Sequence, residues 1–400
     1  MNKAILQPEV QDFIRKHLGD DLSKLILKGS PFENVSIQEL AIQINGLQKA
    51  KSKLPAWFDA AGIIFPPNVN LEQTSSEVTA KYKASLISGK TLIDLTGGLG
   101  IDSSFFSERF EEVFHLEINA DLSEIAAHNF MKLGKDNIKA LSGDGLEYLR
   151  DCNKKYDWIY LDPARRDDHG GKVFLMEHCT PNVRDNLGLF FEKSDQVLLK
   201  TSPLLDLTAG MNDLRNLAEI HIVSVNNEVK ELLWILKKGY SGKIIIQTVN
   251  FQKKEDQYFK GDYSPGQTEV PLSLPAKYLF EPNPAVMKSG LFAEVALQTV
   301  TSKLHVSSHL YTADKPVNFP GRRFEIIEVL PYSKKLKRHP ALKKANVTTR
   351  NFPRQVTEIR DEMKIADGGD IYLFFTTNLN NEKIVLVCKK IVGAGFGSSY

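Results

Sequence analysis

The spacing of apolar positions changes twice along the chain. From Pro8 to about Ala61 they fall at helical intervals: Val10, Phe13 and Ile14 open one face, and Leu40, Ile42, Ile44 and Leu47 continue a later one. Ser36, in NVSIQE, stands ahead of the second run as an N-cap, and Pro66-Pro67 breaks the pattern as a boundary does. SSEVTAKYKASLI then predicts a helix capped by Ser75 or Ser76, with Glu77 favouring its dipole. After Gly89 short apolar runs alternate with helical ones. TLIDL, EVFHLEI, IKALSGD, DWIYLDP and QVLLKTSP read as strands, with helices IDSSFFSERF and ADLSEIAAHNFMKLG between the first three. Such alternation implies a parallel sheet with right-handed crossovers. From about Leu274 the texture shifts again. YLFEPNPAVMKSGLFAEVAL looks like a small strand–helix unit, and RRFEIIEVLPY, DIYLFFTTN and KIVLVCKKIV like strands of a separate α+β module.

Composition narrows this picture modestly. A chain of 400 residues is long enough for two or three domains with real cores. Its 42% apolar and 25% charged residues are those of an ordinary globular protein, so fibrous and disordered classes are excluded. Only three cysteines occur, Cys152, Cys179 and Cys388, in no metal-ligand spacing, which argues against a disulfide scaffold or a metal site. The N-terminus lacks the apolar stretch of a signal peptide and no run is long enough to span a bilayer, so a cytoplasmic location without membrane contact is expected. The net charge of +2 says little about partners. Its distribution says more: no Asp or Glu lies between Glu328 and Glu358, a stretch that holds Lys334, Lys335, Lys337, Arg338, Lys343, Lys344, Arg350 and Arg354.

The chemistry-bearing residues sit at strand ends. DLTGGLG, Asp94 to Gly100, follows the first strand, where an open α/β sheet lines its ligand crevice and where glycines let backbone approach a ligand closely. A glycine loop alone is equally a tight turn. The dinucleotide pattern fits badly, because from Gly98 and Gly100 the third glycine position is Ser103. Asp94 suits a cationic ligand better than a pyrophosphate, and S-adenosylmethionine (SAM) carries an amino group and a sulfonium but no phosphate. Glu117 ends the second strand, placed to accept ribose hydroxyls; its plainer reading is a solvated strand-end charge. Asp144 ends the third, placed for an adenine amino group, and Asp162-Pro163 ends the fourth, where a methyl acceptor would stand. Four acids in register at successive strand ends carry more weight than any one of them.

On these residues the chain resembles the class I SAM-dependent methyltransferases. DLTGGLG is similar to their acid-and-glycine pattern, through Asp94, Gly97, Gly98 and Gly100, with Thr96 in place of the first glycine. Glu117, Asp144 and Asp162-Pro163 match the acids that follow. As a set, EQTSSEVTAKYKA, DLTGGLGID, LDPARR, SVNNEVKELLW and SHLYTADKPVNFPGRRF resemble bacterial methyltransferases that end in a THUMP-like domain. That resemblance implies an α/β, Rossmann-like catalytic domain at about 69–270, preceded by a helical region at 1–68 and followed by a small ferredoxin-like segment at 271–323 and an α+β THUMP-like module at 324–400. It implies SAM as cofactor and an RNA substrate, tRNA or rRNA, because THUMP-type modules bind RNA.

The basic stretch supports RNA independently. Clustered Lys and Arg bind phosphates, and Tyr332 and Phe352 offer faces for stacking; the alternative is a solvated basic face above two core aromatics. Lys334, Lys335, Lys337 and Arg338 are the expected phosphate contacts there, and Arg165 and Arg166 those beside the acceptor, unless Asp167 or Asp168 pairs with them. Three acceptor chemistries can be compared at Asp162. Pyrimidine carbon methylation needs a thiol nucleophile, and Cys179 is the only thiol near in sequence, more simply a buried filler. Nitrogen methylation needs an acceptor for the amine hydrogens, which Asp162 and the Pro163 carbonyl supply, and a flat clamp, for which His178 or Phe174 are candidates. Ribose 2′-O methylation needs a lysine beside carboxylates; Lys200, Asp162, Glu228 and Lys83 are candidates for that cluster, against a simple salt bridge closing the cleft. A base nitrogen is favoured. Rival readings are a catalytically silent SAM-binding RNA assembly factor, a protein or small-molecule methyltransferase, and a nicotinamide oxidoreductase, which Ser103 counts against.

Overall fold

The computed structural model describes residues 1–67, 71, 74–165, 176, 179–264 and 269–391. Two compact units account for them, Met1–Ala218 with Leu233–Ser241, and Glu219–Leu232 with Gly242–Tyr400.

The first unit opens with α1 (Pro8–Lys16), α2 (Leu22–Lys28), α3 (Ile37–Lys53) and α4 (Pro55–Asp59). Ser36 caps α3 as expected, in a reciprocal box with Glu39. The extended Ile63–Phe65 segment that follows has no sheet partner. Instead the Gln43 side chain donates to the Phe65 carbonyl (2.8 Å) and accepts from its N–H (2.9 Å), while Asn129 does the same for Ile64 (2.9 Å each). Two buried amides therefore do the work of a strand partner. Gly46 allows the close approach, since a side chain there would come within 2.3 Å of the Phe65 ring. The region expected at 1–68 is thus tied to Asn129 within one compact unit.

That sheet is built from β1 (Gly89–Asp94), β2 (Phe110–Glu117), β3 (Ile138–Ser142), β4 (Trp158–Leu161) and β7 (Gln196–Thr201), all parallel, in the order β7-β4-β1-β2-β3. Helix α5 (Glu77–Leu86) precedes β1; α6 (Ile101–Phe106), α7 (Ala120–Lys132), α8 (Gly145–Asp151) and α9 (Val183–Lys193) lie between the strands in sequence, α10 (Leu207–Asp213) follows β7, and a two-residue ribbon of β5 (Ala164–Arg165) and β6 (Cys179–Thr180) comes after β4. Ser76 is the α5 cap. The winding reverses between β1 and β4, so the carboxyl ends of these two strands flank the crevice where such sheets bind ligands. β8 (Leu217–Val225) and β9 (Glu228–Lys237) are neighbours joined by Asn226 and Asn227, both at positive φ (51° and 64°). Two strands joined by two residues run antiparallel, and Asn tolerates that left-handed turn better than most residues.

In the second unit β10 (Ile245–Phe251) pairs in parallel with β8 and antiparallel with β11 (Gln257–Asp262). A seven-stranded sheet follows, made of β12 (Tyr278–Pro282), β13 (Ser302–Lys303), β14 (Tyr311–Ala313), β15 (Gly321–Pro331), β16 (Asn346–Arg350), β17 (Ile371–Thr377) and β18 (Lys383–Lys390), with α11 (Pro284–Ser289), α12 (Phe292–Gln298) and α13 (Val356–Met363). Its order is β13-β14-β12-β15-β18-β17-β16. The boundary expected after residue 323 falls inside β15, which pairs with β12 on one side and β18 on the other. The segments expected at 271–323 and 324–400 share one sheet. Buried Glu281 on β12 fastens them, accepting from Arg322 Nε (2.7 Å) and Arg350 Nη2 (3.0 Å). Gly321 lets β15 pass close there, since a side chain at 321 would lie 2.0 Å from the Glu281 carbonyl.

Candidate cofactor and acceptor site

The glycine loop is moulded from below and bare above. A side chain at Gly97 would come within 2.4 Å of the buried His115 ring, and one at Gly100, whose φ is +84°, within 2.3 Å of Phe130. Burial pushes the His115 pKa down to about 4, so a neutral ring supports the loop. Gly98 faces the other way: at φ +56° it has nothing nearer than the Thr96 carbonyl, 4.0 Å from where a Cβ would lie. Bare backbone facing open space is what close approach of a ligand requires.

The strand-end acids are held in place. Asp94 is buried; its Oδ1 accepts from the Thr96 N–H (3.0 Å) and its Oδ2 from the Ser103 hydroxyl (2.6 Å). Burial raises its pKa to about 7, with Asp102 and Asp162 adding to the rise and the Ser103 and Thr96 hydrogen bonds opposing it. Glu117 accepts the N–H of Gly98 on Oε2 and of Asn119 on Oε1, 2.8 Å each, which fixes the carboxylate while leaving a lone pair on each oxygen. The next residue, Ile118, is 72% exposed. Asp144 caps α8 through Oδ1, accepting from Leu146 (2.8 Å) and Glu147 (3.0 Å). Thr96 has a role the glycine of the family pattern cannot play: its hydroxyl oxygen accepts the Asp162 N–H (2.6 Å), joining the ends of β1 and β4.

Asp162 lines the same cleft as Asp94, Thr96, Gly97, Gly98 and Gly100. Lys200, at the end of β7, is ion-paired with its carboxylate. Asp102 and Tyr160 also line the cleft. Lys83, fully buried on α5, lies 3.3 Å from Asp102 and donates to Ser75 (3.1 Å), while Ser75 and Tyr160 donate to Asp102 Oδ2 (2.9 and 2.7 Å). Burial alone would raise the Asp102 pKa, but the Lys83 and Lys200 charges and the two hydroxyl donors outweigh it and hold the group ionised. The Tyr160 phenol is pushed well up by burial and by Asp102, so it stays a donor. Asp102 was missed from sequence because it reads as an ordinary first-turn acid of α6. Glu228, a candidate for this cluster, instead opens β9, exposed and paired with Lys230 at 2.6 Å, in the other compact unit.

Cys179 pairs across the ribbon with Arg165. Burial and the Asp162 charge raise its pKa, which keeps the thiol protonated and disfavours it as a nucleophile. Arg166, Asp167, Asp168, Phe174 and His178 lie outside the described residues. In the basic stretch Lys335, Lys337, Arg338, Lys343 and Lys344 are exposed, whereas Arg350 pairs with Glu281 and Arg354 with Glu362. Lys334 opens the same short 3-10 turn, Lys334–Arg338. Tyr332 and Phe352 are not a stacking platform. They meet edge to face at 5.0 Å and pack on the module core with Phe375, because an apolar sheet face here needs covering.

No group of three or more His, Cys, Asp or Glu able to hold a metal ion, and no helix long and apolar enough to cross a membrane, occurs among the described residues. A doubly wound sheet whose first strand runs into a bare glycine loop, with fixed acids at the next three strand ends, defines a class I methyltransferase. Comparison with known proteins agrees. Residues 321–390 match a THUMP domain-like family and 278–320 a ferredoxin-like domain. A candidate methyltransferase of Porphyromonas gingivalis W83, known from its crystal structure, is 30% identical, with a TM-score of 0.88 over 98% of this chain and 99% of that one. An uncharacterised SAM-dependent methyltransferase of Mycobacterium tuberculosis (strain ATCC 25618 / H37Rv) is 23% identical over 268 residues, 66% of this chain and 70% of the relative. The chain belongs to the family of SAM-dependent methyltransferases that carry a C-terminal THUMP-like domain.

Proposed function

We propose that the enzyme methylates RNA, tRNA or rRNA, at a base nitrogen. The observation that carries this reading is the position of Asp162: its carboxylate lines the cofactor cleft, with its N–H held by Thr96 and its side chain by Lys200. The residues fit SAM. Glu117 keeps lone pairs for the ribose hydroxyls, Gly98 presents open backbone, Asp94 offers negative charge toward the amino and sulfonium groups, and Asp144 keeps Oδ2 for adenine. SAM supplies an electrophilic methyl group on sulfur. The protein's part is to orient the acceptor: Asp162 and the Pro163 carbonyl take the hydrogen bonds of an amine, pointing its lone pair at the methyl. Lys200 holds the Asp162 carboxylate in position, and Lys83–Asp102 fixes the wall behind. Arg165 and Arg166, next in sequence, are the proposed contacts to substrate phosphate.

RNA as substrate is supported by the match to a THUMP domain-like family and by the exposed Lys335, Lys337, Arg338, Lys343 and Lys344. A cytoplasmic location accords with that substrate. Ribose 2′-O methylation is the second reading, favoured by the Lys200–Asp162 pair. Incubating the protein with methyl-labelled SAM and total RNA from cells lacking the enzyme, then separating nucleosides by mass spectrometry, decides. Label on a base nitrogen bears the proposal out, label on ribose establishes the second reading, and label on a base carbon or no label in RNA rejects both.

A further inference from the structure

The THUMP-like module contains a cleft that the methyl-transfer reading does not use. It has a volume of about 440 Å³ and is lined by Lys337, Leu342, Lys343, Glu362, Met363 and Lys364. Three elements meet there: the 3-10 turn Lys334–Arg338, the next turn at Pro340–Leu342 with Lys343, and the end of α13 with Lys364. Leu342 and Met363 are 1% and 5% exposed and belong to the module core, so the floor is apolar and rigid. Lys337, Lys343 and Lys364 stand exposed around it, and no ion pair to any of them is seen among the described residues. The one acid in the lining, Glu362, is occupied by Arg354. Three ammonium groups thus share a small space without a counter-charge, an arrangement that a polyanion relieves.

We propose that this cleft binds the sugar–phosphate backbone of the RNA substrate, with Lys337, Lys343 and Lys364 on neighbouring phosphates and a sugar resting on Leu342 and Met363. The volume lies within the range of small-ligand sites, enough for about one nucleotide. Lys364 extends the expected basic surface, since it lies beyond Glu358 and joins the other lysines only through the fold. The proposal rests on the RNA reading above, and its test separates the two.

Fluorescence anisotropy of labelled unfractionated bacterial tRNA is measured against salt for three full-length proteins: wild type, the triple variant Lys337→Gln, Lys343→Gln, Lys364→Gln, and a control triple Lys24→Gln, Lys28→Gln, Lys51→Gln, equally exposed and on other elements. The cleft triple is expected to bind roughly tenfold more weakly, with the log–log salt slope lowered by about 2 to 3, one phosphate contact per lysine. The control stays near wild type, and SAM affinity by calorimetry is the same for all three. A cleft triple that binds tRNA like wild type, or a control that weakens as much, overturns the proposal while the RNA reading stands. Poly-glutamate competing as strongly as RNA replaces it with an acidic protein partner. Failure of the wild type to bind tRNA even at low salt overturns the RNA reading and the cleft with it.

Discussion

The cofactor cleft and the lysine cleft treat charge in opposite ways. At the first, every charge is committed within the protein: Asp94 to Ser103 and Thr96, Glu117 to two backbone N–H groups, Asp162 to Lys200, Asp102 to Lys83. At the second, three lysines share a rim with one acid that is already taken. A site for a small molecule of fixed shape gains from rigid, pre-oriented groups, which lower the ordering cost of binding. A surface for a long polyanion gains from unpaired cations, whose counter-charge the ligand itself supplies. The same residue types are therefore structural in one region and binding groups in the other.

The comparison is broken most sharply by removing one charge from each region. Asp102→Asn removes the carboxylate that faces buried Lys83 and is expected to cost about 3–5 kcal/mol in urea denaturation, whereas Lys337→Gln stays within about 0.5 kcal/mol. Replacing both members together, Lys83→Met with Asp102→Leu, is expected to recover much of the loss. Equal, small costs for Asp102→Asn and Lys337→Gln would mean the buried pair fixes nothing.

Glycines give the next contrast. Gly100→Ala combines a positive φ with a Cβ 2.3 Å from Phe130, and Gly368→Ala has a similar φ, +91°, but only the flexible Lys344 side chain nearby at 3.7 Å. The first is expected to cost about 2–4 kcal/mol and to abolish SAM binding, the second about 1 kcal/mol with SAM binding retained. Thermal melts with calorimetry on both variants check this.

A smaller effect separates the two regions by pH. Burial holds the Asp94 pKa at about 7, above the ordinary carboxyl value, so below pH 7 the group is neutral. A cationic ligand prefers the ionised form, so SAM affinity should rise as pH increases through 7 and level off above it, by roughly tenfold between pH 6 and 8. Asp94→Asn retains only the ligand's own titration and should lose that rise. By the same linkage, raised carboxyl pKa makes the ligand-free protein lose stability from this group as pH climbs from about 4 to 7. A melting temperature that does not change in that window in wild type relative to Asp94→Asn would contradict the assignment.

Much of the cofactor site was legible because its spacing is local: each acid ends an apolar run, and the glycines follow one of them directly. The parallel sheet was legible for the same reason. What was hidden depends on contacts between distant segments. Asp102 meets Lys83 and Tyr160 only when α5, α6 and β4 have come together, and the role of Thr96 appears only where β1 and β4 end side by side. A sequence does not show that NN makes a two-residue turn, after which Glu228 stands exposed beside Lys230. Basic neighbours leave Tyr332 and Phe352 readable as stacking faces or as core aromatics, and only the folded sheet face, which takes them into its core, decides. The division expected after residue 323 lies close to where the two matched domains meet, at 320/321, but a sequence does not show that one sheet continues across it.

Calorimetric titration of SAM into the wild-type protein and Glu117→Ala tests the central claim most directly. The account predicts one SAM per chain for the wild type, and binding lost or weakened by at least about tenfold in Glu117→Ala, whose melt stays cooperative. A wild type that takes up no SAM, or a Glu117→Ala protein that binds it as tightly as wild type, would contradict it.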